Sequence, residues 1–359
     1  MGIYWRFLEV SSQSSAILLR AILNAFKINW RGFTSLEFGV GRKEVDFKIL
    51  ANYSEQSHVN YFNPVFKKEQ GHVFNSRSFF EISDVLVDTK TGMVFTQNGK
   101  IIEETTSTNI NYTLLNSVPH PPRFFNKELG DRTCNYFVLT STGFYHFLIE
   151  DLPRAIFAKN NLKSAKALVY FDAPNYVLEF AKILNITYEI MPRFVSVKAI
   201  NVVGFTDDTA WPHPKDLEQL RIANMWPESA SKTKLYISRA SSTRSPKYEL
   251  ELIDLLGNNG WTCLELEKIS IKDQIALFKG AAVIAGVHGA GLSNMVWTSN
   301  GTQIIELSPN EFNPIFSRMA SILSLKYDLI MAENLTADEI ILLLEASINS
   351  NKRLEDDRI

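Results

Sequence analysis

The sequence is poor in the residues from which small, cross-linked or metal-stapled folds are built. Cys134 and Cys263 are its only cysteines, far apart and outside any Cys-x-x-Cys or Cys/His cluster, so neither a disulfide framework nor a zinc site is indicated. Two buried free thiols are expected instead. No Asp-x-Asp pair occurs that would clamp Mn²⁺ or Mg²⁺ against phosphates. No charge of one sign dominates: 37 Lys and Arg stand against 39 Asp and Glu, for a net charge of -2. That balance lacks the electrostatic footprint of a dedicated nucleic-acid binder, so any anion must be met locally. Only 13 Pro and 17 Gly occur in 359 residues, and with 45% hydrophobic and 12% aromatic content this excludes a disordered, repeat or fibrous chain.

Long apolar runs are also missing. The stretch Met1–Trp30 carries Ile17, Leu18, Ile22, Leu23 and Phe26, but Arg20, Asn24 and Lys27 interrupt it. That apolar run is too short and too interrupted to span a bilayer, and it lacks the small-residue cleavage site of an export signal. A helix docked on the protein is expected there. The alternative is a helix lying in a membrane surface, with Trp5, Trp30, Arg20, Lys27 and Arg31 at the interface. The expected location is accordingly cytoplasmic, with peripheral contact at the inner face of the membrane as the variant. Sequons at Asn52, Asn111, Asn185, Asn300 and Asn334 carry no weight without an export signal.

What is present reads as two domains, because this length exceeds one comfortable core. From Lys234 onward, short runs rich in β-branched residues alternate with stretches of helical period. Strands are expected at Lys234–Ser238, Thr262–Leu266, Ala282–Val287, Gln303–Leu307 and Tyr327–Ile330. Helices are expected at Tyr248–Gly257, Ile271–Lys279, from about Leu292, at Pro314–Leu323 and at Ala337–Ile348. The near-continuous apolar runs AAVIAGV and TQIIEL are those of a parallel sheet covered on both faces. In the first half, Phe79–Thr105 reads as a β-meander broken at Lys90-Thr-Gly92 and Gln97-Asn-Gly99. A second α/β unit follows: helix Phe144–Asn160, strand Ala167–Phe171, helix Asn175–Leu184 and strand Ile200–Val203. Linker signals in Asp207–Thr233 place the boundary so that residues 1–213 and 214–359 form an N-terminal and a C-terminal α/β domain, with a cleft expected between the carboxyl ends of their sheets.

Three segments could carry chemistry. Ala285–Asn294 (AGVHGAGLSN) leaves a strand and enters a helix through Gly289-Ala290-Gly291, where consecutive N–H groups at a helix N-terminus favour an anion such as a diphosphate. A tight turn whose glycines serve sterics alone is the competing reading, and His288 at the strand's carboxyl end tips the balance toward a ligand. Leu235–Arg244 ends a strand of the same sheet and brings Arg239 and Arg244 onto a Ser/Thr-rich loop. Guanidinium forks match phosphate oxygens, although a single surface arginine is more often merely solvated. Glu306, closing TQIIEL, falls on the same edge as either a ribose-diol acceptor or an ordinary strand-end carboxylate. Third, in Phe144–Arg154 (FYHFLIEDLPR), a helix would set His146 and Glu150 on one face, as a general base or as a satisfied structural pair. Pro153 is compatible with a kink or break in that helix.

FYHFLIEDLPR, YISR-x4-R, VHGAGLSNM and IIEL, in this order and spacing, resemble the family 61 glycosyltransferases. That family includes bacterial capsular-polysaccharide enzymes and, more distantly, plant xylan-decorating and animal O-linked N-acetylglucosamine transferases. The resemblance covers roughly Phe79 to Leu307. It implies a GT-B fold of two Rossmann-like domains facing across a cleft, and transfer with inversion from a nucleotide sugar, UDP-linked for preference, to a glycan or lipid-linked glycan hydroxyl. Metal would not be required and no further cofactor is implied. By position, Arg239 and Arg244 would hold the diphosphate. His288, Gly289, Ala290, Gly291, Leu292 and Asn294 would line the nucleotide, and His146 and Glu150 would sit by the acceptor. Family members often place Asp where this chain has Glu150, which makes Asp151 a rival base. A non-catalytic nucleotide-sugar or glycan-binding scaffold is the alternative. A dinucleotide oxidoreductase is disfavoured, because HGAGL lacks the Gly-x-Gly-x-x-Gly spacing and falls late in the fold.

Overall fold

The computed structural model describes residues 77–97, 135–140, 143–204, 211–223, 232–310 and 312–356, with Thr105 and strand segments at 33–34, 47–54, 57–63, 68–74, 101–102 and 128–129. The helix expected at Met1–Trp30, the turn at Gln97-Asn-Gly99, Cys134 and most of the linker stretch lie outside these residues. The chain divides into two compact units, residues 1–56 with 74–211, and 57–73 with 212–359. Among the described residues no helix is long and apolar enough to cross a membrane.

The first unit is built on two sheets. One is seven-stranded and contains β1 (Phe33–Thr34), β2 (Phe47–Ser54), β5 (Arg77–Asp88), β6 (Val94–Phe95), β7 (Ile101–Ile102), β8 (Glu128–Leu129) and β12 (Phe194–Val203). β5, β6 and β7 pair antiparallel in sequence order, so the expected meander forms, with its last two strands only two residues long. Gly92 makes the first turn possible: its φ is +76° and its amide donates to the Asp88 carbonyl at 2.8 Å. A second sheet, of three parallel strands, has the order β11 (Tyr188–Met191), β10 (Ala165–Tyr170), β9 (Asn135–Val138). Helices α1 (Leu152–Asn161) and α2 (Asn175–Ile183) belong to this α/β part. The expected strand at Ile200–Val203 is the end of the longer β12, which pairs antiparallel with β5 and leaves the parallel sheet. Burial holds it there: Val195, Val197, Ile200 and Val202 join one cluster with Phe80, Ile82, Val85 and Val87 of β5.

The second unit holds a five-stranded sheet, parallel throughout: β14 (Trp261–Leu264), β13 (Thr233–Ile237), β15 (Ala281–Val287), β16 (Gln303–Ser308), β17 (Lys326–Met331). β3 (Ser57–Asn63) and β4 (Lys68–Phe74) form a separate pair. Period-two burial sorts the side chains of the parallel sheet. Val283, Ala285, Val287, Ile305 and Leu307 join one core cluster with Leu252 and Leu256 of α4 (Glu249–Asn258) and Ile340, Leu344 and Ile348 of α7 (Ala337–Asp356). Those helical positions recur at the three-to-four-residue spacing that makes a buried stripe. α5 (Ile271–Lys279) is capped by Ser270, whose hydroxyl accepts from the Asp273 amide. α7 opens on a capping box, in which Thr336 Oγ1 accepts from the Glu339 amide at 3.3 Å and Glu339 accepts from the Thr336 amide at 2.9 Å. α3 (Pro214–Ala223) and α6 (Ile315–Ile322) complete this unit.

Gly92→Ala tests the turn that starts the meander. A methyl group there would stand 2.7 Å from Thr140 Cγ2, on a backbone that L residues rarely adopt. Its melting temperature should fall, by an amount reflecting about 1–2 kcal/mol or more; thermal unfolding followed by circular dichroism gives the answer.

Candidate active site

The strand order of the second unit, counted along its own chain, is 2-1-3-4-5, and such a sheet has a switch point between its first and third strands. Here those strands are β13 and β15. The loops leaving their carboxyl ends depart in opposite directions, and the gap between them is where ligands bind in open parallel sheets. Arg239 and Arg244 lie on the loop after β13, and His288 to Gly291 form the turn after β15. The sheet therefore brings both sequence features to one point.

Arg239 lies against the glycine turn. Its Nη1 donates to the His288 carbonyl at 2.9 Å, and a methyl group on Gly289 would stand 3.4 Å from the guanidinium carbon. Burial pulls the Arg239 pKa down and the positive charge of Arg244 adds to that, which puts the two cations within electrostatic reach of each other. Among the described residues the Arg244 guanidinium takes no hydrogen-bond partner, and the amides of Gly289, Ala290 and Gly291 meet no acceptor. Arg239, three free N–H groups and the exposed Arg244 within electrostatic reach are the kind of groups that can meet an anion, each charge-assisted bond being worth about 1.5–3 kcal/mol.

The segment after Gly289 differs from expectation. Ala290–Trp297 is a 3-10 helix, not an α-helix, and Gly289 itself is fully extended. Gly291 is closely packed: a methyl group there would stand 3.0 Å from both Ile237 Cγ2 and Leu266 Cδ1, so those side chains would have to give way. Leu292 and Asn294 are buried at 1% exposure and do not line an open site. Asn294 donates to Gln274 Oε1 at 3.2 Å and accepts from Trp297 Nε1 at 3.1 Å, pinning the 3-10 turn to α5. Glu306 is likewise 0% exposed, so it is not placed to accept from a ribose. Its Oε1 lies 2.6 Å from His288 Nδ1 and its Oε2 accepts from Tyr327 Oη at 2.7 Å. His288 keeps 31% of its side chain exposed and packs against Phe316 with ring centroids 5.2 Å apart.

Sequence reasoning missed several supports of this site. Glu249, at the start of α4 and 1% exposed, accepts from the Arg239 amide at 2.6 Å and from Tyr236 Oη at 2.8 Å, fixing the loop at its first residue. Arg221 of α3 caps the far end of the 3-10 turn, donating to the carbonyls of Val296 and Thr298 at 3.3 and 3.0 Å and to Asn300 Oδ1 at 3.0 Å. Glu249 follows a Ser/Pro-rich loop and passes for an exposed first-turn carboxylate; nothing in the local pattern marks Arg221.

In the first unit the FYHFLIEDLPR segment is helical with an irregularity. Phe144–His146 is one α turn, Phe147–Asp151 is a π-helical turn, and α1 follows. Pro153 lacks an N–H and crowds the carbonyl four residues before it, and the widened turn, closed by the Leu152 amide on the Phe147 carbonyl, accommodates it. His146 Nδ1 and Glu150 Oε2 lie 2.6 Å apart. Of that pair His146 faces outward with 36% of its side chain exposed, whereas Glu150 shows 4%. Burial alone would depress the His146 pKa, but the hydrogen bond to Glu150 and the charges of Glu150 and Asp151 outweigh it and raise it. Asp151 is committed elsewhere: Arg154 Nη1 donates to it at 3.1 Å while Arg154 Nε donates to the Val203 carbonyl at 2.8 Å. Asp151 also pushes the Tyr176 hydroxyl, already raised by burial, up to about 12. Among the described residues no group of three or more His, Cys, Asp or Glu stands ready to hold a metal ion.

With this geometry in view, the family model described as Glycosyltransferase 61 matches residues 144–305. The match begins at the His146 turn, takes in both arginines and the glycine turn, and supports a family 61 glycosyltransferase enzyme. No curated protein matches the chain.

The raised His146 pKa has a consequence for stability. The ion pair with Glu150 contributes fully below about pH 6.5, the unfolded value, and is lost as pH rises through the higher folded value. The melting-temperature difference between the wild type and His146→Gln should therefore be larger near pH 6 than near pH 8.5. A difference that grows with pH would contradict the pairing.

Proposed function

We propose that the protein is an inverting, metal-independent glycosyltransferase that moves a sugar from a nucleotide-sugar donor, UDP-linked for preference, to a hydroxyl of a glycan or lipid-linked glycan, as in capsular-polysaccharide assembly. In this reading the two units are those of a GT-B enzyme, with acceptor chemistry in the first and the donor in the second. The observation that carries it is the convergence of Arg239 and the glycine turn at the switch point of the parallel sheet. A diphosphate is the anion such an array fits: the free N–H groups of Gly289, Ala290 and Gly291 meet its oxygens while Arg239 and Arg244 neutralise the charge that develops as it leaves.

On the acceptor side, His146 is the base. Nδ1 is held by Glu150, so Nε2 is the nitrogen left to take a proton from the acceptor hydroxyl, and Glu150 steadies the imidazolium that forms. Glu150 is too buried to touch a glycan, and Asp151 is held by Arg154. The reaction is a single in-line displacement: the acceptor oxygen bonds the anomeric carbon, the carbon–phosphate oxygen bond breaks, and the nucleoside diphosphate departs. Contact with a membrane surface would suit a lipid-linked acceptor.

The division of labour is testable. Arg239→Ala should weaken binding of the nucleoside diphosphate by about ten- to a hundredfold. His146→Ala and Glu150→Gln should leave that binding unchanged and lower turnover by about 10²–10⁴-fold. Equal loss of binding in all three would refute it, and calorimetry with UDP or GDP beside a radiolabelled transfer assay separates the cases. Transfer should also survive EDTA; activity abolished by the chelator and restored by a divalent cation would overturn the metal-free scheme.

A further inference from the structure

Resting on the donor site proposed above, we infer that His288 is a catalytic residue, the proton donor to the departing diphosphate, and that Glu306 and Tyr327 are positioning residues that hold it for this task. Place comes first. The His288 carbonyl is the acceptor for Arg239 Nη1, and the next three residues carry the free amides, so the imidazole stands at the rim of the anion site. Orientation follows. Glu306 Oε1 engages Nδ1 at 2.6 Å and Phe316 packs on the ring, leaving Nε2 as the only nitrogen able to meet a ligand; among the described residues it has no partner.

Charge supplies the rest. Glu306 has no exposed surface, and a buried carboxylate is costly unless paired. The groups facing this centre come from each neighbouring element. β16 brings Glu306, β17 brings the Tyr327 hydroxyl, bonded to Glu306 Oε2 at 2.7 Å, with Asp328 within electrostatic reach of that tyrosine, and α6 packs Phe316 on the ring. The loop after β13 brings Arg239, with Arg244 within electrostatic reach of it. A bound diphosphate cancels the guanidinium charges and adds its own negative charge, so occupancy of the site draws a proton onto the imidazole.

The step then balances. As the bond from the anomeric carbon to the phosphate oxygen breaks, its electron pair goes to that oxygen. Nε2–H hands over its proton there, and His288 ends neutral with Nδ1–H still on Glu306. The proton of the acceptor hydroxyl goes to His146, so one proton is given and one is taken. The enzyme would thus carry two histidines of opposite duty, each seated on a buried glutamate at the same 2.6 Å distance.

The test is isothermal calorimetry of UDP, GDP, ADP and CDP with the full chain, in buffers of differing ionisation enthalpy near pH 8. There an ordinary imidazole, titrating at about 6.5, and a terminal phosphate, titrating at about 6, are both deprotonated. The nucleotide that binds should bring net proton uptake of about half to one proton per site. That uptake should vanish in His288→Gln and in Glu306→Gln, whichever folds, while Arg239 still secures measurable binding. Wild-type binding without uptake, or uptake that survives either substitution, overturns the role of His288 and leaves the donor site standing. If no nucleoside diphosphate binds, the donor-site reading fails and this proposal falls with it.

Discussion

The candidate site of the parallel-sheet unit depends on one hydrogen bond, from the Arg239 guanidinium to the main-chain carbonyl of His288. It ties the loop leaving the first strand of the parallel sheet to the turn leaving the third, across the point where the sheet's winding reverses. Each partner is anchored from behind. Glu249 grips the Arg239 amide, and Glu306 grips the His288 ring; both carboxylates are buried and both are steadied on their second oxygen by a tyrosine. The free main-chain amides and the second arginine are disposed around that link. An anion bound there is met by groups already in place, which is how a protein stabilises developing charge without reorganisation.

How much of this was legible in the sequence follows from how local each cause is. Strand and helix periodicity in residues 234–348 expresses burial on two faces, which is written residue by residue, and the expected strands and helices form close to their expected bounds. The glycine turn and the arginine loop were visible because strand ends in a parallel sheet share an edge. The exceptions have non-local causes. Leu292 and Asn294 follow the glycines in sequence but turn inward, Asn294 to meet Gln274 of α5 and Trp297. Glu306 ends a strand at the ligand edge yet faces down toward Tyr327, a contact between β16 and β17 that no single segment specifies. The first half was harder for the same reason: β12 leaves the α/β unit in which its sequence neighbours lie and joins β5, more than a hundred residues earlier at its paired ends.

The two histidine–glutamate pairs share a distance but differ in origin. In the first unit the partners lie four residues apart on one helical stretch, a spacing readable from sequence. In the second they come from β16 and the turn just after β15, eighteen residues apart in the chain. Both place the glutamate inside and the imidazole outside, so the ring is the exposed member of each pair.

The π turn ahead of α1 also sets an angular phase. A widened turn accommodates one more residue than an α turn, and each α-helical residue is worth about 100° of rotation. The buried face of α1, formed by Leu152, Ala155, Ile156 and Ala158, is fixed by the core behind it. Removing a single residue from Phe147–Asp151 would turn the imidazole by about 100° around the axis while α1 stayed seated. The aim of that side chain is therefore encoded in chain length as much as in residue identity.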